Sequence, residues 1–208
     1  MHSRSTLTLL ALTVVSGCLP YTVGSTAQTV APGATQRTAI VYFIPDAIDL
    51  TGDDSISAPM RGVDVEFRRG LSDRSDIGVR FPSGSGAVVT YKRRIAGTSS
   101  PESGAVSFMT GGGFVNFAEH GEVELTMMAS GRESSSVTPY GGVRAMQVIP
   151  MSRTAVHDEP TAGGFVGMRI LFGDLEVKPE LGVYYDPSAL GIRSTNFIFV
   201  PAFGLTRR

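Results

Sequence analysis

The chain has 208 residues with 18 basic and 19 acidic side chains, 25 glycines, 12 prolines, one cysteine and no tryptophan. One domain of ordinary size is the expectation, and a net charge of -1 with no Lys/Arg-rich run excludes nucleic acid as a partner. A single cysteine excludes an intrachain disulfide framework.

Residues 1–17 read as a targeting segment. His2 and Arg4 give a weakly basic start, Leu7 to Val15 is apolar, and Ser16-Gly17 are small. A spanning helix needs about 20 apolar residues, and this run stops at Cys18 with Pro20 close behind. Val15-Ser16-Gly17-Cys18 resembles the lipobox of bacterial lipoproteins. That resemblance implies cleavage before Cys18 and acylation of its thiol, with palmitate-type chains holding the protein to membrane lipid. Leu19 in place of an aspartate after the cysteine implies, by the same resemblance, sorting to the outer membrane. Residues 18–37 are small, polar and punctuated by Pro and Gly, and are expected to form a flexible tether ahead of a folded domain over 38–208.

From residue 38 onward, short apolar/polar alternations separated by Gly, Ser, Asp and Pro clusters predict an all-β domain. Ten candidate strands lie near 38–46, 60–71, 75–82, 86–95, 104–117, 121–132, 137–150, 161–173, 175–186 and 195–205, with eight as the alternative count. Period-two alternation assigns faces. Val63, Val65 and Phe67 oppose Asp64, Glu66 and Arg68, while Val89 and Tyr91 oppose Lys92 and Arg94. Ile77, Val79 and Phe81 oppose Arg80; Val123, Leu125 and Met127 oppose Glu122 and Glu124. Val166, Met168 and Ile170 oppose Arg169, and Leu175, Val177 and Leu181 oppose Glu176, Lys178 and Glu180.

Runs of this length match the nine to eleven residues of a tilted membrane strand better than the five or six of an average soluble one. The twelve charged residues Asp64, Glu66, Arg68, Arg80, Lys92, Arg94, Glu122, Glu124, Arg169, Glu176, Lys178 and Glu180 balance six against six, as a lumen network requires. In-strand glycines such as Gly111-Gly112-Gly113 and Gly163-Gly164 suit a curved, closed sheet. The hairpin EFRRGLSDRSDIGVRF and the aromatic last strand NFIFVPAF are similar in pattern to small bacterial outer-membrane β-barrels. The fold expected is therefore a closed antiparallel up-and-down β-barrel of eight to ten strands with its N-terminus in the periplasm; a soluble, lipid-tethered β-sandwich binding module is the alternative.

Candidate chemistry is sparse. No nucleophile, zinc or phosphate-loop motif occurs, and no cofactor or metal is expected. The constellation that could activate water or hold a cation is His157 and Asp158 with Asp53 and Asp54, on connections at one end of the barrel. It is reminiscent of the ten-stranded omptin proteases, with no matching motif around these residues, and a loop-borne hydrolase is the minor alternative. His120 reads as a turn residue. The function expected is a non-enzymatic, lipid-anchored outer-membrane barrel with an envelope-structural or surface-interaction role. Its expected partners are outer-membrane lipid, and envelope proteins or a small ligand reached through the connections.

Overall fold

The computed structural model describes residues 20–49, 57–151, 159–186 and 197–207. Ten antiparallel strands close into one barrel: β1 (Thr35–Asp49), β2 (Ser57–Ser72), β3 (Ser75–Phe81), β4 (Ala87–Gly97), β5 (Ala105–Val115), β6 (His120–Ser130), β7 (Val137–Pro150), β8 (Thr161–Phe172), β9 (Leu175–Tyr185) and β10 (Phe197–Arg207). Each strand pairs with its neighbours in sequence. Closure comes from β1 against β10, with Arg37 opposite Arg207 and Tyr42 opposite Ala202. The closed barrel removes the β-sandwich alternative and sets the strand count at ten, because no edge is left to bound a second sheet.

The two ends differ. One carries the connections at 73–74, 98–104, 131–136 and 173–174, along with the start of β1 and the end of β10; we call it the turn end. The other carries the connections at 50–56, 82–86, 116–119, 151–160 and 186–196, and is the loop end. Most connections are short, as consecutive antiparallel strands allow.

The face assignments follow the pleat. On the outside, Val143, Val166, Phe199 and Phe203 are 61%, 64%, 53% and 57% exposed, far more than large apolar side chains of a soluble core. Among the described outward side chains of the strands there is no Asp, Glu or Lys. Arginines fringe the apolar wall instead: Arg37, Arg69, Arg93 and Arg207 at the turn end and Arg61 nearer the loop end. Aromatics gather near the loop end, where Phe81, Phe114, Tyr185 and Phe197 lie at strand termini and the last two rings are 5.4 Å apart.

Some glycines answer to the interior and not to curvature. Gly62 sits opposite Tyr42, and a Cβ there would fall 2.1 Å from the tyrosine Cζ. The missing side chain makes room for the ring to lie across the neighbouring strand.

Candidate functional site: the strapped lumen

The expected tether is not a tether from Pro20 onward. Residues 20–27 are buried inside the barrel, with Val23 and Ala27 fully so. The physical reason is complementary size and polarity. The segment PYTVGSTAQTVAPGA has no charged residue and only one large side chain, so an extended chain fits a lumen whose remaining volume is filled by long charged side chains from the walls. We call this segment the strap.

Walls and strap are joined largely through the strap's backbone. Arg80 donates to the carbonyls of Thr22 at 2.5 Å and Val23 at 3.1 Å. Arg144 donates to the carbonyl of Thr22 at 2.9 Å and also to that of Pro20. From β9, Glu180 accepts the amides of Val23 and Gly24, both at 2.8 Å, and the Tyr140 hydroxyl at 3.0 Å. Toward the turn end, Lys92 donates to the Ser25 hydroxyl and to the carbonyls of Thr26 and Gln28 at 3.0, 3.1 and 2.7 Å. Arg94 reaches the Gln28 side-chain carbonyl at 2.7 Å, Ser107 donates to the Ala27 carbonyl, and Asp76 accepts the Val30 amide at 2.9 Å. An extended strand normally satisfies its N–H and C=O groups in a sheet; here lumen side chains do so.

The charged groups also neutralise one another. Arg68 is held by Asp76 and Glu66 at 2.5 and 2.7 Å, with Lys92 3.5 Å from the same aspartate. Arg80 lies 3.6 Å from Glu66, and Arg144 pairs with Glu124. On the far wall Glu176 pairs with both Arg169 and Lys178 at 2.8 Å. Every one of the twelve charged residues singled out from the alternation is buried on the inner face. The alternation missed Asp76 and Arg144. Asp76 opens a strand directly after a turn, and Arg144 follows Gly141-Gly142, where alternation is blurred.

Toward the loop end the lining turns apolar. Tyr42, Ile44, Val88, Val115, Val148 and Ile198 surround Tyr21, whose ring lies 5.6 Å from that of Tyr184 and whose hydroxyl donates to Asp186 at 2.8 Å. Of the terminal aromatics, Tyr184 thus points in, while Tyr185, Phe197, Phe199 and Phe203 point out. At the turn end a polar cavity of about 360 Å³ remains between the strap and the β9–β10 wall, bordered by Gln28, Glu133, Lys178 and Arg207.

His120 is buried at the start of β6 and not in a turn, with its Nε2 lacking a hydrogen-bond partner among the described residues. Both carboxylate oxygens of Glu122, two residues further along the same inner face, are likewise without one. Among the described residues no group of three or more His, Cys, Asp or Glu could hold a metal. Cys18, Asp53, Asp54, His157 and Asp158 lie outside the described residues.

One strap residue is fitted closely enough to test. Gly24 has φ +57, and a Cβ would fall 2.5 Å from Ile40 Cδ1. Gly24→Val is expected to lower stability by about 1–3 kcal/mol through overpacking, with added backbone strain, read as a lower urea midpoint.

No family model and no curated protein matches the chain. The chain aligns with several solved structures. The outer membrane protein OprG of Pseudomonas aeruginosa aligns at 11% identity and TM-score 0.38, over 88% of this chain and 99% of that one. Neisserial surface protein A aligns at 11% and 0.36, over 83% and 94%. The attachment invasion locus protein Ail of Yersinia pestis, solved with the heparin analogue sucrose octasulfate, aligns at 9% and 0.33, over 84% and 96%.

Proposed function

We propose that the chain is a lipid-anchored outer-membrane β-barrel with a structural or surface-interaction role, its lumen closed by its own amino-terminal strap. The observation that carries this is the inversion of sidedness. The outer wall is apolar and bears no acid or lysine among its described side chains, whereas the strand acids and lysines whose side chains are described lie inside. A soluble protein that exposed such a wall all round would aggregate, while a bilayer buries it. Arginines at one rim and aromatics at the other suit the two polar interfaces of a membrane. Strands reach across the hydrocarbon without leaving backbone groups unpaired because the sheet closes on itself.

The filled lumen argues against an open diffusion pore. Most of the charged lumen groups are engaged with one another or with the strap. What the protein offers to partners is then its connections, its rims and its lipid-facing wall. Acylation at Cys18 adds an anchor to a barrel that is itself embedded.

The test takes the Cys18→Ala variant, exported with an ordinary cleavable signal, and compares boiled with unboiled membrane fractions on an SDS gel. A membrane-bound protein with different mobility when unboiled is expected. A soluble periplasmic protein with one mobility would overturn the spanning barrel in favour of a tethered soluble module.

A further inference from the structure

The strap has a direction. At its carboxyl-terminal side Gly33 donates to the Gly70 carbonyl at 3.0 Å, and the Thr29 hydroxyl donates to the carbonyl of Asp73, in the β2–β3 turn, at 3.1 Å. Those contacts are at the turn end. At its amino-terminal side Tyr21 reaches Asp186, the first residue beyond β9, at the loop end. Between these two rims lie eight residue steps, which at about 3.3 Å each reach at most roughly 26 Å, so a segment held at both rims has little slack across the roughly 25 Å apolar band of a membrane barrel.

We infer that the amino-terminal segment crosses the membrane inside its own barrel, so that the chain ahead of Pro20 emerges at the mouth bearing the 151–160 and 186–196 connections, on the outer face of the cell. This rests on the spanning barrel proposed above. It places Pro20 and the end of β10 at opposite ends of the barrel, because β10 ends at the turn end beside the start of β1. A barrel whose first strand starts in the periplasm would ordinarily leave its N-terminus there; the strap reverses that by running back through the lumen.

Two features support a held crossing over a loose insertion. The strap is gripped along its length by Arg80, Arg144, Glu180 and Lys92, from different walls. Its amino-terminal end is then fixed by Tyr21 in the apolar collar next to the loop-end mouth. The two steps from Pro20 to Cys18 span at most about 7 Å. Acyl chains borne by Cys18 would then enter the outer leaflet, not the periplasmic one.

The test uses the natural cysteine, the only one in the chain, left free by export with an ordinary cleavable signal. A membrane-impermeant maleimide is applied to intact cells and to permeabilised cells. The control is Ser100→Cys in a Cys18→Ala background, which puts the thiol on the 98–104 connection. Cys18 is expected to label on intact cells as fully as after permeabilisation, and Ser100→Cys only after permeabilisation. Labelling of Cys18 only after permeabilisation, or surface labelling of Ser100→Cys, overturns the inference. The boiled and unboiled mobilities of the same samples separate its failure from that of the spanning barrel. A heat-modifiable membrane protein with a periplasmic Cys18 loses only the crossing, whereas a soluble protein of one mobility loses both.

Discussion

Arg144→Leu is expected to destabilise the barrel by about 3–5 kcal/mol, read as a shift of the urea-unfolding curve followed by circular dichroism in detergent. The side chain is 2% exposed and lies between Glu124 and the strap. Removing it leaves Glu124 beside Glu122, two buried carboxylates on one strand face. It also removes the donor to the carbonyls of Pro20 and Thr22. The pair's share is separable. Arg144→Leu with Glu124→Leu takes out both charges, and exchange of a buried ion pair for apolar side chains is often close to neutral. The double variant is therefore expected to recover most of the loss, short of the strap carbonyls at on the order of 1 kcal/mol each. A double variant no more stable than the single one would show that Arg144 acts through the strap alone.

The barrel was legible because its strands obey a local rule. Val63, Val65 and Phe67 alternate with Asp64, Glu66 and Arg68 whatever the rest of the chain does, and the pleat sends them to opposite faces. Strand ends were legible for a similar reason, since turns such as Ser72-Asp73-Arg74-Ser75 carry their own chemistry. What lies inside was only half legible. Period two tells that Arg80, Lys92 and Glu180 share the inner face, but not what they touch.

The strap was hidden for two physical reasons. Residues 20–34 have no periodicity, because a strand surrounded on all sides has no apolar face and polar face to alternate. Its partners are also remote in sequence: Glu180 is 157 positions from Val23, and Arg144 is 122 from Thr22. Small uncharged residues read equally as linker or as lumen filling, and only the volume left inside the barrel decides between them. A faint signal was present. Tyr21 is a large apolar group in an otherwise small-residue segment, and a free tether gains nothing from it; in the lumen it completes the collar around Tyr42 and Tyr184.

Deleting residues 20–31 is expected to open the turn-end half of the lumen to small solutes while leaving the barrel closed. Closure does not need the strap, because pairing of β1 with β10 and β2 begins at Thr35 and beyond. The exposed lumen groups are not left stranded either: once the strap is gone, water can reach Lys92, Arg94 and Asp76 from the turn end. The loop-end collar of Ile44, Val88, Val115 and Val148 stays apolar, so access is expected from one side only. A reporter sits at the right depth. Ser107 is fully buried, and its hydroxyl donates to the Ala27 carbonyl inside the strap. In a Cys18→Ala background, Ser107→Cys is expected to react with a small charged thiol reagent about 100-fold faster in the strap-deleted barrel than in the full chain, because in the latter the thiol is reached only when the strap lifts. Equal rates in the two forms would mean that wall side chains close the lumen unaided and that the strap is a passenger there. A large difference would make the strap the element that keeps this barrel shut.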